Sequence, residues 1–177
     1  LSLFSFIRPN IIGKENVHAN GSVMVDGLVS SKTFDGDSGA EVTLPHTTGT
    51  GDNRLLLVSV AWGRDALTVG NIPRTITNIT CNDEELDLVT FVSHDLYNNV
   101  AIYLYPLEPE RGVSANISIT FSSTNKNAVV GAINFAGVDL SDPFGEIITD
   151  SGSDAANISS TITTQNGEMV FDTVSTE

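Results

Sequence analysis

The chain has little of what most enzymes and disulfide-stapled secreted domains rely on. Its 177 residues include one cysteine, so neither an intrachain disulfide nor a Cys-based metal site can form. In the run TITNITCND that residue, Cys81, reads as a small buried hydrophobe at strand spacing from Ile79. Only eight residues are basic against 22 acidic ones, a net charge of −14. The basic residues are scattered, with no stripe to hold a phosphate backbone, which argues against nucleic acid and against an anionic membrane surface. No apolar run approaches the ~18 residues of a transmembrane helix, so no membrane insertion is expected. LSLFSFI is short and lacks the charged flank of a signal peptide. Helical periodicity is missing throughout.

What is present alternates. Asn116-Ile117-Ser118-Ile119-Thr120-Phe121 switches between polar and apolar at a period of two, as do Val100–Tyr105 and Leu55–Trp62. Hydrophobic residues at 40% with charged residues at 17% suit a folded β protein with a sizeable core. Strands are expected near Val23–Val29, Ala40–His46, Arg54–Trp62, Thr75–Cys81, Leu86–Val92, Val100–Tyr105, Asn116–Phe121, Ala128–Val138, Asn157–Thr164 and Met169–Val174. Polar breakers separate them: DGDSG at 35–39, TGTGDN at 48–53, NDEE at 82–85, EPERG at 108–112 and QNG at 165–167. About ten short strands at this spacing predict an all-β fold, an antiparallel β-sandwich of jelly-roll type.

The first residues behave differently. LSLFSFI is an apolar strand that ends at Arg8-Pro9, and a loop-like stretch follows. The chain therefore divides into a strand and tether, 1–22, and a sandwich domain, 23–177. The strand has two expected places: an edge of its own sandwich, or a neighbouring copy, with Leu1, Leu3, Phe4 and Phe6 making the contact.

Candidate chemistry is sparse. His94-Asp95 are consecutive, so on a strand their side chains diverge. No nucleophile elbow, zinc-protease helix or phosphate loop is present, and no enzymatic activity is expected. Calcium is the one cofactor the acidic loops suggest, because a hard cation collects carboxylate and carbonyl oxygens. Asp35 and Asp37 crowd one turn, and Asp139 and Asp142 flank a bend before Pro143. A sugar-binding face would draw on Trp62, Tyr103 and Tyr105, the two tyrosines lying on one face opposite Ile102 and Leu104. Asn20, Asn78, Asn116 and Asn157 open Asn-x-Ser/Thr sequons and are candidate glycosylation sites.

Several segments resemble a β-sandwich module that recurs in large secreted and surface proteins of microbes. They are residues 30–62 (SSKTFDGDSGAEVTLPHTTGTGDNRLLLVSVAW), 79–89 (ITCNDEELDLV), 99–122 (NVAIYLYPLEPERGVSANISITFS), 128–145 (AVVGAINFAGVDLSDPFG) and 167–175 (GEMVFDTVS). The resemblance implies an extracellular or cell-surface, non-catalytic module with a structural or adhesive role. Such modules carry an Asn-Gly turn where this chain has the more acidic Asp83-Glu84-Glu85, and they continue beyond the strand that VFDTVSTE matches. An open groove is the expected consequence, and an apolar strand from an identical subunit would fill it. The function expected is a self-assembling subunit of a surface filament or layer. The alternative is a carbohydrate-binding or adhesive module of a larger secreted protein that recognises surface glycans.

Overall fold

The computed structural model describes residues 2–7, 22–35, 40–63, 75–94, 98–123, 127–151 and 161–174, without the side chains of residues 2–7, Asp35, His94 and Val174. Every regular element among them is a strand. In chain order these are β1 (Ser2–Ile7), β2 (Met24–Val25), β3 (Ser30–Asp35), β4 (Glu41–Thr47), β5 (Leu55–Gly63), β6 (Ile76–Cys81) and β7 (Glu84–Glu85). There follow β8 (Asp87–His94), β9 (Asn98–Leu104), β10 (Ser114–Phe121), β11 (Asn127–Ala136), β12 (Phe144–Asp150) and β13 (Met169–Val174). All pairings are antiparallel.

Two larger sheets make the sandwich. One runs β2-β11-β5-β9-β8, with β3 pairing beside β2 along β11, and the other runs β4-β10-β6-β7. From β3 to β6 the chain changes sheet at every strand, the crossing habit on which a jelly roll is built. The period-two pattern drives the packing. Ala115, Ile117, Ile119 and Phe121 of β10 face inward with Val42 and Leu44 of β4. Opposite them lie Leu56, Val58, Val60 and Trp62 of β5 and Val130 of β11.

The alternate residues of the larger sheet are also apolar. Leu55 and Leu57, Val100 and Ile102, and Phe135 form a second core on its other face. A third sheet, ordered β12-β1-β13, covers that face through Phe144, Met169 and Phe171, so the larger sheet is a middle layer. This explains why Leu55-Leu56-Leu57-Val58 reads as an unbroken apolar run, since a strand covered on both faces has no solvated side.

Local turn chemistry accounts for several breaks. Asn82 and Asp83 both take positive φ, 49° and 68°, and make the two-residue connection between β6 and β7. The asparagine of that pair also accepts the Asn116 backbone N–H on its side-chain oxygen at 3.1 Å. The strand expected over Val23–Val29 shrinks to Met24–Val25, because Gly27 at φ 91° turns the chain away from β11. Of the strand expected over Asn157–Thr164, residues 157–160 lie outside the described residues and 161–164 carry none; β1 takes the place beside β13. Three strands absent from the sequence reading are β3, the two-residue β7 and β12.

Candidate functional site

The feature that stands apart from ordinary sandwich packing is the position of β1. It is the middle strand of the third sheet, and among the described residues β12 and β13 are joined only through it. Against β13 the register runs from Ser2 opposite Val174 to Ile7 opposite Met169 without interruption. Against β12 it runs from Ser2 opposite Asp150 to Ile7 opposite Phe144, with an irregularity between Ser5 and Ile7. Within its own chain β1 is thus a central strand of a sheet rather than the edge strand expected there.

The register also sorts the residues of β1. Leu3, Ser5 and Ile7 stand opposite Thr173, Phe171 and Met169, and the last two pack on the second core. Phe4 and Phe6 stand opposite Asp172 and Val170, which are exposed. Leu1 and the side chains of Leu3, Phe4 and Phe6 lie outside the described residues, so their proposed contacts rest on register alone.

The aromatic platform for sugars is corrected. Trp62 is 3% exposed and lies in the first core, its ring 5.9 Å from Phe91 and 6.1 Å from Phe121. Tyr103 is in the same core, where burial pushes its phenol up to about 12. Half-buried Tyr105 packs against that core, and desolvation also raises its pKa. The two tyrosines do share a face, with Ile102 and Leu104 on the other, but the sandwich covers both faces. A stacking surface needs an open ring face, and pairing turned these rings inward.

The calcium residues divide. Asp37 and the side chain of Asp35 lie outside the described residues. Asp139 uses one carboxylate oxygen to accept the Ser141 backbone N–H at 3.0 Å and its hydroxyl at 2.6 Å, which shapes the bend. The Asp142 N–H donates to the Asp139 carbonyl at 3.2 Å. Among the described residues no three His, Cys, Asp or Glu side chains gather as metal ligands. Asn78 and Asn116 are exposed on the outer face of the four-stranded sheet, their neighbours Ile79 and Ile117 pointing into the core. Asn20 and Asn157 lie outside the described residues, as do Asp95 and the His94 side chain. Cys81 is buried, and desolvation raises its thiol to about 11, which leaves it unreactive at neutral pH.

Two polar clusters escaped the sequence reading. Arg54, 5% exposed, donates from Nε and Nη2 to the Pro109 carbonyl at 2.9 and 2.5 Å and from Nη1 to the Gly51 carbonyl at 2.6 Å. It also pairs with Glu108 at 3.1 Å, so one buried cation ties the glycine-rich turn to the EPERG loop. Asp26 locks the same turn by accepting the N–H groups of Thr50 and Gly51. A Cβ at Gly49 would overlap the Asp26 carboxylate, and one at Gly51 would lie 2.6 Å from the Ala136 Cβ. The motif Gly-Thr-Gly-Asp-Asn-Arg is therefore a packing device. Its signal was legible as glycine spacing, but its partners sit far along the chain.

The second cluster bridges the sheets. His46, 2% exposed on β4, has Nδ1 2.9 Å from the Ser30 hydroxyl and Nε2 2.5 Å from the Asn134 side-chain amide. Burial lowers the His46 pKa and favours the neutral ring. With Ser30, Leu28, Pro45 and Asn116 it lines an open cleft of about 220 Å³. Both ring nitrogens are engaged by neighbours, so the cluster is a sheet-to-sheet tie. No family model, curated protein or solved structure matches the chain.

Proposed function

We propose that this chain is a non-catalytic structural protein of the cell exterior that assembles with identical copies into a filament or layer. Assembly occurs when β1 of one copy enters the slot between β12 and β13 of the next. The observation that supports this reading is that, among the described residues, β12 and β13 meet only through β1, a strand whose two partners lie near the other end of the chain. A slot flanked on both sides offers an incoming strand two hydrogen-bonded ladders, where a sheet edge offers one. The same slot accepts the same strand from its own chain or from another, which is the condition for strand exchange. One-way donation, head to tail, yields a fibre, whereas reciprocal exchange between two copies closes a dimer. The extracellular setting follows the resemblance to secreted modules. Calcium in the acidic loops and glycans on exposed Asn78 and Asn116 belong to the same proposal. With Trp62 and Tyr103 buried, the carbohydrate-binding reading loses its aromatic support.

Cysteines placed at Ser2 and Asp150, which are register partners, test the exchange. The native thiol at Cys81 is buried and does not interfere. Mild oxidation at rising protein concentration is expected to give a ladder of disulfide-linked oligomers on non-reducing gels. Only internally cross-linked monomer at every concentration would refute assembly through β1.

A further inference from the structure

We infer that Asn166 is a site of slow self-modification, where the chain closes on its own side chain and reopens as isoaspartate. The inference is independent of assembly through β1. Residues 165–168 form a β-turn closed by the Glu168 N–H, which donates to the Gln165 carbonyl at 3.3 Å. Gly167 takes its third position at φ 92°, the place a type II turn reserves for glycine. Asn166 is exposed at the second position, and the bond that closes the turn leaves the Gly167 N–H out. The Gly167 nitrogen thus stands next along the chain to the Asn166 side-chain amide, with no Cβ to hinder its approach. Once deprotonated, that nitrogen attacks the amide carbon: a C–N bond forms, ammonia leaves, and a five-membered imide joins the two residues. Water then opens the imide. Opening at the side-chain carbonyl gives aspartate, and opening at the main-chain carbonyl gives isoaspartate, whose backbone is one methylene longer. Either product adds one negative charge. The fold makes the site selective, since Asn99 and Asn134 are 4% and 0% exposed, lie within strands and precede the bulkier Val100 and Phe135. The other Asn-Gly pair, Asn20-Gly21, lies outside the described residues. The lengthened backbone has a structural effect. The Gly167 carbonyl accepts the Val23 N–H at 3.2 Å, and Met169, which opens β13, packs on the second core. An extra atom at position 166 disturbs both anchors.

The test is peptide mapping by mass spectrometry on the full folded chain held at pH 8, with fragmentation that separates isoaspartate from aspartate. The peptide carrying Asn166 is expected to gain about 1 Da as its amide becomes a carboxyl, with isoaspartate the major product. Peptides carrying Asn99 and Asn134 are expected to keep their mass over the same period. At pH 7 the conversion should be about tenfold slower, because the attacking nitrogen must first lose its proton. Asn166→Gln, whose attack would need a six-membered ring, is expected to lose the shift. In the converted chain the Val23 amide should exchange faster with solvent, while β10 and β11 amides keep their rates. An Asn166 peptide that stays unchanged in the folded chain but converts in urea would overturn the site, since the fold would then protect it. Conversion that leaves the Val23 amide rate unchanged would overturn the structural effect.

Discussion

At the scale of single residues, the buried polar groups decide more than the surface ones. Arg54 is held by two carbonyls and Glu108, and His46 by Ser30 and Asn134. Each ties segments that lie far apart in sequence, and each would leave buried partners unsatisfied if removed. His46 also sets a pH dependence. Its folded pKa lies below the unfolded value of about 6.5, so the unfolded chain takes up a proton more readily. The stability that neutral His46 contributes is full above that value and is lost as the pH falls below it. Urea midpoints are expected to be lower at pH 5.5 than at pH 7.5, and the difference should shrink in His46→Gln. Surface ion pairs matter less. Arg111 and Asp52 are both exposed, and although Arg111 holds the Asp52 carboxyl below the usual range, solvent screens the pair.

Elements differ in how plainly they were written. β10 was legible because a half-buried strand shows a period of two, and its inward residues are those the pattern marks; β5 and β9, read by the same period, are buried on both faces. β3 was not legible, because Ser30-Ser31-Lys32-Thr33 has no apolar alternation; pairing with β11 makes it a strand. β12 was hidden behind Pro143 and Gly145, which read as the close of a bend. The apolar character of β1 was readable, but its partners were not, since both ladders join opposite ends of the chain. The failed sugar face has the same origin: alternation shows which residues share a face, and only tertiary pairing shows that both faces are covered. The layer that β1 completes is expected to be separable. Deleting residues 1–12 should abolish amide protection in β12 and β13 while β5, β10 and β11 stay protected, as hydrogen exchange by NMR would reveal. Loss of protection throughout the molecule would instead make all three layers one cooperative unit.

For the whole molecule, charge and layering act together. Subunits carrying −14 each repel at long range, and salt shortens that range to about 8 Å at physiological ionic strength. Assembly, followed by light scattering, is expected to be faster at 0.5 M than at 0.02 M sodium chloride. Calcium is expected to raise the melting temperature beyond what sodium chloride of equal ionic strength achieves, and equal effects would confine calcium to general screening. The central place of β1 also has a mechanical meaning. A strand paired on one side can be peeled away one bond at a time. β1 lies antiparallel to a neighbour on either side, so a pull along its axis loads both ladders in shear, and many bonds share the force at once. In a chain of copies linked this way, each junction would resist tension better than it resists slow, unforced release, holding under a sudden load yet still exchanging at rest.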